Sequence, residues 1–288
     1  MIRLDRRLAV IGGVMSLAGL GAGRARAQSL DPVRIGITPV VIDSDVAFLD
    51  RFSTYFSERL GRPVIIEQRR TYQEITALLL SGQIEAAWIC GYPYVQHRDR
   101  LQLIAVPIYR GEPLYQSYMI VAADNPAQSL EGLRDQIHAF SDPDSNSGFL
   151  VTRWLLHQIH ESPRSFFSSF FFTYGHRNVV RAVAADLAQS GSVDGYVWEI
   201  LQQIEPSLTG ATRVLHRSQK LGFPPIACLA ARAEEPAIVR LKRLLLDMDG
   251  DASGRALLAS LHLDRFDEQP DSLFAGIASL YEAVRSDA

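Results

Sequence analysis

From residue 33 onward, short β-branched runs alternate with amphipathic segments, and this alternation constrains the fold more than any other feature of the chain. Residues 33–38 read as a strand, and 47–60 as a helix with Leu49, Phe52, Phe56 and Leu60 on one face, stopped by Gly61. Residues 64–67 give a second strand, and 73–80 a helix ended by Ser81-Gly82. A third, buried strand at 86–90 opens into the turn Gly91-Tyr92-Pro93-Tyr94. Such a βαβαβ order predicts a mostly parallel sheet covered by helices, with a ligand crevice beyond the carboxyl ends of its strands. The pattern then restarts, with strands at 117–123, 137–140, 170–173 and 193–197 and helices at 149–159 and 179–187. A further strand at 226–231 leads into helices at 238–246 and 274–284, which are expected to return to the first unit.

The 288 residues, 47% of them hydrophobic, suffice for one or two packed domains. A formal net charge of −3 provides no basic field for nucleic acid or an anionic membrane, so an anionic ligand must be held by local donors. Arg3, Arg6 and Arg7 precede an apolar run from Leu8 to Leu20, and Ala25-Arg26-Ala27 offers small residues for cleavage. This reads as a secretory signal peptide, residues 1–27, with Gln28 as the mature start. The apolar run is shorter than the roughly 20 residues of a spanning helix. The Arg6-Arg7 pair fits either twin-arginine or Sec export. Cys90 and Cys228 either pair in the oxidising compartment or sit separately as buried apolar residues.

Most of the sequence signals for chemistry lie where strands pass into helices. Ser141-Asp142-Pro143-Asp144-Ser145-Asn146-Ser147-Gly148 places Ser145, Asn146 and Ser147 at a helix N-terminus, where free N–H groups and the dipole suit an anion. The same residue types also make an ordinary cap and Asx turn. In Tyr174-Gly175-His176-Arg177-Asn178, His176 is the preferred ligand donor. Arg177 is either a bidentate partner of an oxyanion or solvent-exposed. Glu199, after Val193-Asp194-Gly195-Tyr196-Val197-Trp198, accepts from a protonated ligand, orients His176 or Arg177, or serves its own helix dipole. Tyr92 and Tyr94 offer phenols to a ligand or pack as core aromatics, and Thr38 in Thr38-Pro39-Val40 is a further candidate contact.

The order of these segments resembles the phosphonate-type family of periplasmic binding proteins. The likeness rests on a Gly-x-Pro-Tyr-like turn, an Asp-Pro-x-Ser-x-Ser-Gly loop, a Gly-His turn and a Val-Asp strand followed by Glu. It implies an α/β fold of two Rossmann-like lobes joined by a two-strand hinge, a type II periplasmic binding protein. The lobes would be residues 28–120 plus 225–288, and 121–224. It also implies that Ser145, Asn146 and Ser147 hold phosphonate oxygens, with His176, Tyr94 and Glu199 completing the site. Relatives that bind aminophosphonates carry an acid where this chain reads Gly222-Phe223-Pro224-Pro225, which favours phosphite, phosphate or a small phosphonate. Some relatives detect arsenite through a thiol, which makes Cys90 a candidate thiol ligand as an alternative to a buried strand cysteine.

The expected function is capture of a small oxyanion in the periplasm by a monomer that closes its lobes and delivers the ligand to an ABC-type permease. An alternative is a sensor subunit that signals to a membrane histidine kinase. A third reading, a hydrolase or transferase, lacks a Gly-x-Ser-x-Gly elbow or a His-Glu-x-x-His site, and His157 and His160 lack a third ligand. The chain has no Walker-type loop, so any ATPase lies in another protein, and no cofactor or metal is expected.

Overall fold

The computed structural model describes residues 31–38 and 46–285; the signal peptide, its cleavage position and residues Pro39 and Val40 lie outside them. Strand β1 (Val33–Ile37), helix α1 (Val46–Leu60), β2 (Val64–Gln68), α2 (Tyr72–Leu80) and β3 (Ala86–Trp88) follow the expected alternation. β1 runs parallel to both β2 and β3. The predicted turn after β3 is instead the first turn of a short helix, α3 (Gly91–Gln96), because Pro93 fits the first turn, where its missing N–H costs nothing.

The chain then forms β4 (Leu101–Ile108), a long strand that the sequence reading missed, because its near-continuous apolar run lacks the alternation of a half-buried strand. Arg110 and Gly111 adopt positive φ in the turn that follows. After β5 (Leu114–Tyr115), the second unit comprises β6 (Ser117–Ala122), β7 (Ile137–Phe140), α4 (Val151–His157), α5 (Pro163–Phe166), β8 (Ser169–Phe172), α6 (His176–Ala184), β9 (Ser190–Asp194), α7 (Gly195–Ile204), α8 (Pro206–Gly210) and β10 (Thr212–Arg217). The return passes through β11 (Leu221–Gly222) and β12 (Ile226–Leu229) to α9 (Pro236–Leu246), α10 (Ala252–Ser260), β13 (Arg265–Asp267) and α11 (Ala275–Arg285).

Two sheets result, ordered β13-β4-β12-β3-β1-β2 and β10-β6-β9-β7-β8. Each is parallel on one side and antiparallel on the other, so the expectation of a mostly parallel sheet holds only for β2-β1-β3 and β9-β7-β8. The physical reason is the crossing: β12 enters the first sheet from the second and pairs antiparallel with β3 and β4. At the crossings, β5 and β11 pair antiparallel as a two-stranded ribbon. Helix α11 packs on α3 and also on α4, so it touches elements of both units.

The sequence reading also carried the strand at 193–197 too far. β9 ends at Asp194, whose side chain accepts from the N–H groups of Tyr196 and Val197 and thereby starts α7. Gly191 in β9 is required by packing, since a Cβ there would come within 2.5 Å of Val179 Cγ1 on α6. Among the described residues, no helix is long and apolar enough to cross a membrane, and both cysteines are buried and free.

The core of the second sheet encloses a polar network. His138 is buried against Phe167 with ring centroids 4.4 Å apart, and its nitrogens lie 2.7 Å from Ser190 Oγ and 2.8 Å from Ser192 Oγ. Ser192 Oγ is in turn 2.6 Å from Thr152 Oγ1. The arrangement pairs hydroxyls with an imidazole as a hydrolase would, but complete burial leaves no path for a substrate. Burial pushes the His138 pKa down from 6.5 to about 3. The unfolded chain therefore takes up a proton below pH 6.5 that the native state refuses. This contribution to stability is complete above 6.5 and is lost as pH falls towards 3.

Two outcomes are expected. The melting temperature of His138→Gln should fall less between neutral pH and about pH 5 than that of the parent, and parallel curves would refute the assignment. Gly191→Val should cost about 1–3 kcal/mol in urea unfolding, as overpacking does.

Candidate functional site

Five helices begin at one place between the two sheets. α2 starts at Tyr72, α3 is preceded by Cys90, α6 starts at His176 and α7 is capped by Asp194. The fifth, α4, is entered through a wide turn at Asn146–Leu150, with Leu150 N–H donating to the Ser145 carbonyl. Each N-terminus carries free N–H groups and about half a positive charge, so the junction is electropositive without a cation.

Side chains from both sheets meet there. Tyr72 and Cys90 come from the first unit, and Asn146, His176 and Asp194 from the second; all are buried. The Tyr72 hydroxyl lies 3.1 Å from His176 Nε2, its backbone N–H donates to Asp142 Oδ2 at 3.2 Å, and Asn146 N–H donates to Cys90 Sγ at 3.2 Å. Asn146 Nδ2 donates to the Tyr115 hydroxyl on the ribbon at 2.8 Å.

The hydrogen bonds fix the state of the histidine. Asp194 N–H donates to His176 Nδ1 at 3.1 Å, and burial pushes the ring pKa down to about 3, so the ring is neutral with its proton on Nε2. That proton is given to the Tyr72 oxygen. The Tyr72 hydroxyl proton is therefore left to be donated elsewhere, and burial keeps it in place by raising the phenol pKa well above 10.

The loop after β7 divides its residues between folding and function. Ser145 Oγ accepts from Gly148 N–H at 2.9 Å, which is the helix cap that the sequence left as an alternative. Gly148 lies so close to β7 that a Cβ would fall 1.8 Å from Ser141 Oγ. Ser141 Oγ, Asn146 Oδ1 and Ser147 Oγ are buried without a hydrogen-bond partner, as is Thr76 Oγ1 one turn along α2 from Tyr72. A buried polar atom left unpaired costs about 1–3 kcal/mol, so such a concentration marks a place that exchanges hydrogen bonds with something else.

The other candidates are placed differently. The Tyr94 hydroxyl donates to Asp271 Oδ1 at 2.6 Å and its ring packs on Phe274, so it ties α3 to the segment before α11. Tyr92 packs on Tyr281 of α11. The Thr38 hydroxyl donates to the Trp88 carbonyl at 3.0 Å, within its own sheet. Arg177 is partly exposed in an ion pair with Glu205. Glu199 accepts from the Tyr109 and Tyr118 hydroxyls at 2.8 and 2.5 Å and pairs with Arg110, all near the crossing. Cys90 does join the cluster, but burial raises its pKa to about 12 and keeps the thiol protonated.

Sequence reasoning missed Tyr72, Tyr115 and Asp142. The local signal for Tyr72 is the capping box Thr71-x-x-Glu74, which fixes where α2 begins and hence that Tyr72 points from a helix start. Among the described residues, no group of side chains could hold a metal ion.

The fold has solved counterparts. A binding-protein component of an ABC phosphonate transporter from Pseudomonas aeruginosa superposes with a TM-score of 0.81 at 19% identity, over 89% of this chain and 87% of that one. PhnD1 from Prochlorococcus marinus, in complex with methylphosphonate, gives 0.77 at 19% identity, over 88% and 98%. The aliphatic sulphonate-binding protein of Escherichia coli gives 0.58 at 15%, over 89% and 93%. At these identities the likeness is one of fold, that of the type II periplasmic binding proteins. Residues 35–274 also match the family model described as the phosphonate periplasmic substrate-binding protein of ABC transporters. With the match covering most of its length, the chain belongs to the family of periplasmic substrate-binding proteins of ABC phosphonate transporters.

Proposed function

We propose that this protein captures a small phosphorus oxyanion, a phosphonate, phosphite or phosphate, between two closing lobes and presents it to a membrane permease. The lobes correspond in outline to residues 28–120 plus 225–288, and 121–224, with β6 kept whole in the second. Removal of the signal near Ala27 is part of the same reading. The family binds substrates and does not turn them over.

The observation that carries the proposal is the set of unpartnered buried oxygens on Ser141, Asn146 and Ser147 beside a tyrosine hydroxyl with a proton to give. A tetrahedral oxyanion has several acceptor oxygens in a compact volume and suits such converging donors. Because Tyr72 and Cys90 belong to one unit and Asn146 and His176 to the other, ligand held at this junction favours the closed arrangement over the open one. Methylphosphonate bound to a protein of the same fold supports the ligand class.

The test is a thermal-shift panel with phosphate, phosphite, methylphosphonate, aminoethylphosphonate, sulfate and arsenite. A ligand at about 100 times its dissociation constant should add roughly 2.7 kcal/mol of stability. Response to none of the phosphorus oxyanions would refute the proposal. Ser147→Ala should leave the unliganded melting temperature nearly unchanged, since its hydroxyl has no partner to lose, yet weaken binding about tenfold or more. The opposite result, lower intrinsic stability with unchanged affinity, would assign Ser147 to the fold alone.

A further inference from the structure

Counting charge around the same junction narrows the ligand further, and this step rests on the oxyanion reading above. Among the described residues no lysine or arginine is buried; the buried charged or titratable polar residues are two histidines and two aspartates. The undescribed stretch 39–45, between β1 and α1, reads Pro-Val-Val-Ile-Asp-Ser-Asp and contains no cationic residue either. An anion here therefore meets helix N-termini and hydroxyls, without a fixed positive charge.

Carboxyl groups stand on the same ground. Asp142 is buried in the loop after β7 and accepts from the N–H groups of Tyr72 and Asp144, while Asp194 caps α7 and its N–H orients His176. Asp144 lies beside them, where burial and then Asp142 raise its pKa to about 6. The other titratable groups facing the junction are Tyr72 on α2, Cys90 before α3, Tyr115 on β5 and His176 on α6, all neutral. The charged groups that act on Tyr72 and Cys90 most strongly are the acids Asp142 and Asp194. Two of the five helix ends already have a carboxylate of their own, α7 from Asp194 and α2 from Glu74.

We infer that the site takes its oxyanion as a monoanion that retains one hydroxyl proton, and discriminates against the dianion. A second negative charge would enter a low-dielectric junction beside buried carboxyls with no cation to offset it. A retained P–OH proton has acceptors waiting, in the unpartnered Asn146 Oδ1 or the Asp142 carboxylate. No bond is made or broken; only the ligand's protonation state is selected.

The experiment is titration calorimetry of the wild-type protein with phosphite and with methylphosphonate, from about pH 5 to about pH 9. Apparent affinity follows the competent fraction of ligand, so it should fall about tenfold per pH unit above the second ionisation of each ligand. Phosphite is the stronger acid of the two, and its midpoint should therefore lie at lower pH. His176 stays neutral across this range and adds no step of its own. Burial raises the pKa of Asp194 to about 7, so a midpoint common to both ligands would mean that the protein titrates, and would overturn the inference. Affinity that is flat or rises with pH would overturn it as well, while leaving oxyanion capture intact. Failure of both ligands to bind at every pH would remove the inference together with the function on which it rests.

Discussion

The structure turns on a hydrogen-bonded chain that joins its two sheets: Asp194 N–H to His176 Nδ1, and His176 Nε2–H to the Tyr72 hydroxyl. Its first link lies in one unit and its last in the other. Because the imidazole is buried and neutral, the chain has a fixed direction, and the spare proton ends up on the phenol facing the junction. Burial of so many polar groups is tolerable only if nearly all are paired, and most are. The exceptions gather on the loop after β7, at Ser141, Asn146 and Ser147.

The same constraint explains why helix ends replace charged side chains here. A buried arginine or lysine must be paired continuously, whereas a helix N-terminus is built by the backbone and is present whether or not an anion is bound. Five such ends meet because β-strands in both units point their carboxyl ends at the same space and each passes directly into a helix. Glycines make the approach possible: Gly148 lets the loop lie on Ser141, and Gly191 lets β9 lie under α6. The ion pairs and tyrosines around Glu199 serve the crossing between units, where Tyr109 and Tyr118 share one carboxylate.

How much of this could be read in advance differs between elements. The parallel triplets β2-β1-β3 and β9-β7-β8, the Ser-Asn-Ser loop and His176 were legible because periodicity and helix-start chemistry are local. β4 was not, since a strand buried on both faces has no alternation to detect. Tyr94 and Glu199 were named as ligand contacts from their place in the order of segments. The structure gives each a different partner, Asp271 for the first and two tyrosines with Arg110 for the second. Tyr72 went unnoticed although its helix start was well marked, because nothing local says which of several aromatics faces the other unit.

The sequence by itself determined the α/β alternation, the two repeats of it, the absence of a basic field and the places where helices begin. These follow from side-chain period, composition and capping, each of which acts within about one turn of the chain. Only the tertiary structure decided which tyrosine meets His176, which serine hydroxyls stay unpaired, and that acids but no cation share their space. Those outcomes depend on how two sheets 70 or 104 residues apart in sequence, as Tyr72 is from Asp142 and His176, are packed face to face. Hydrogen bonding and desolvation at that separation are set by burial, which no local pattern encodes.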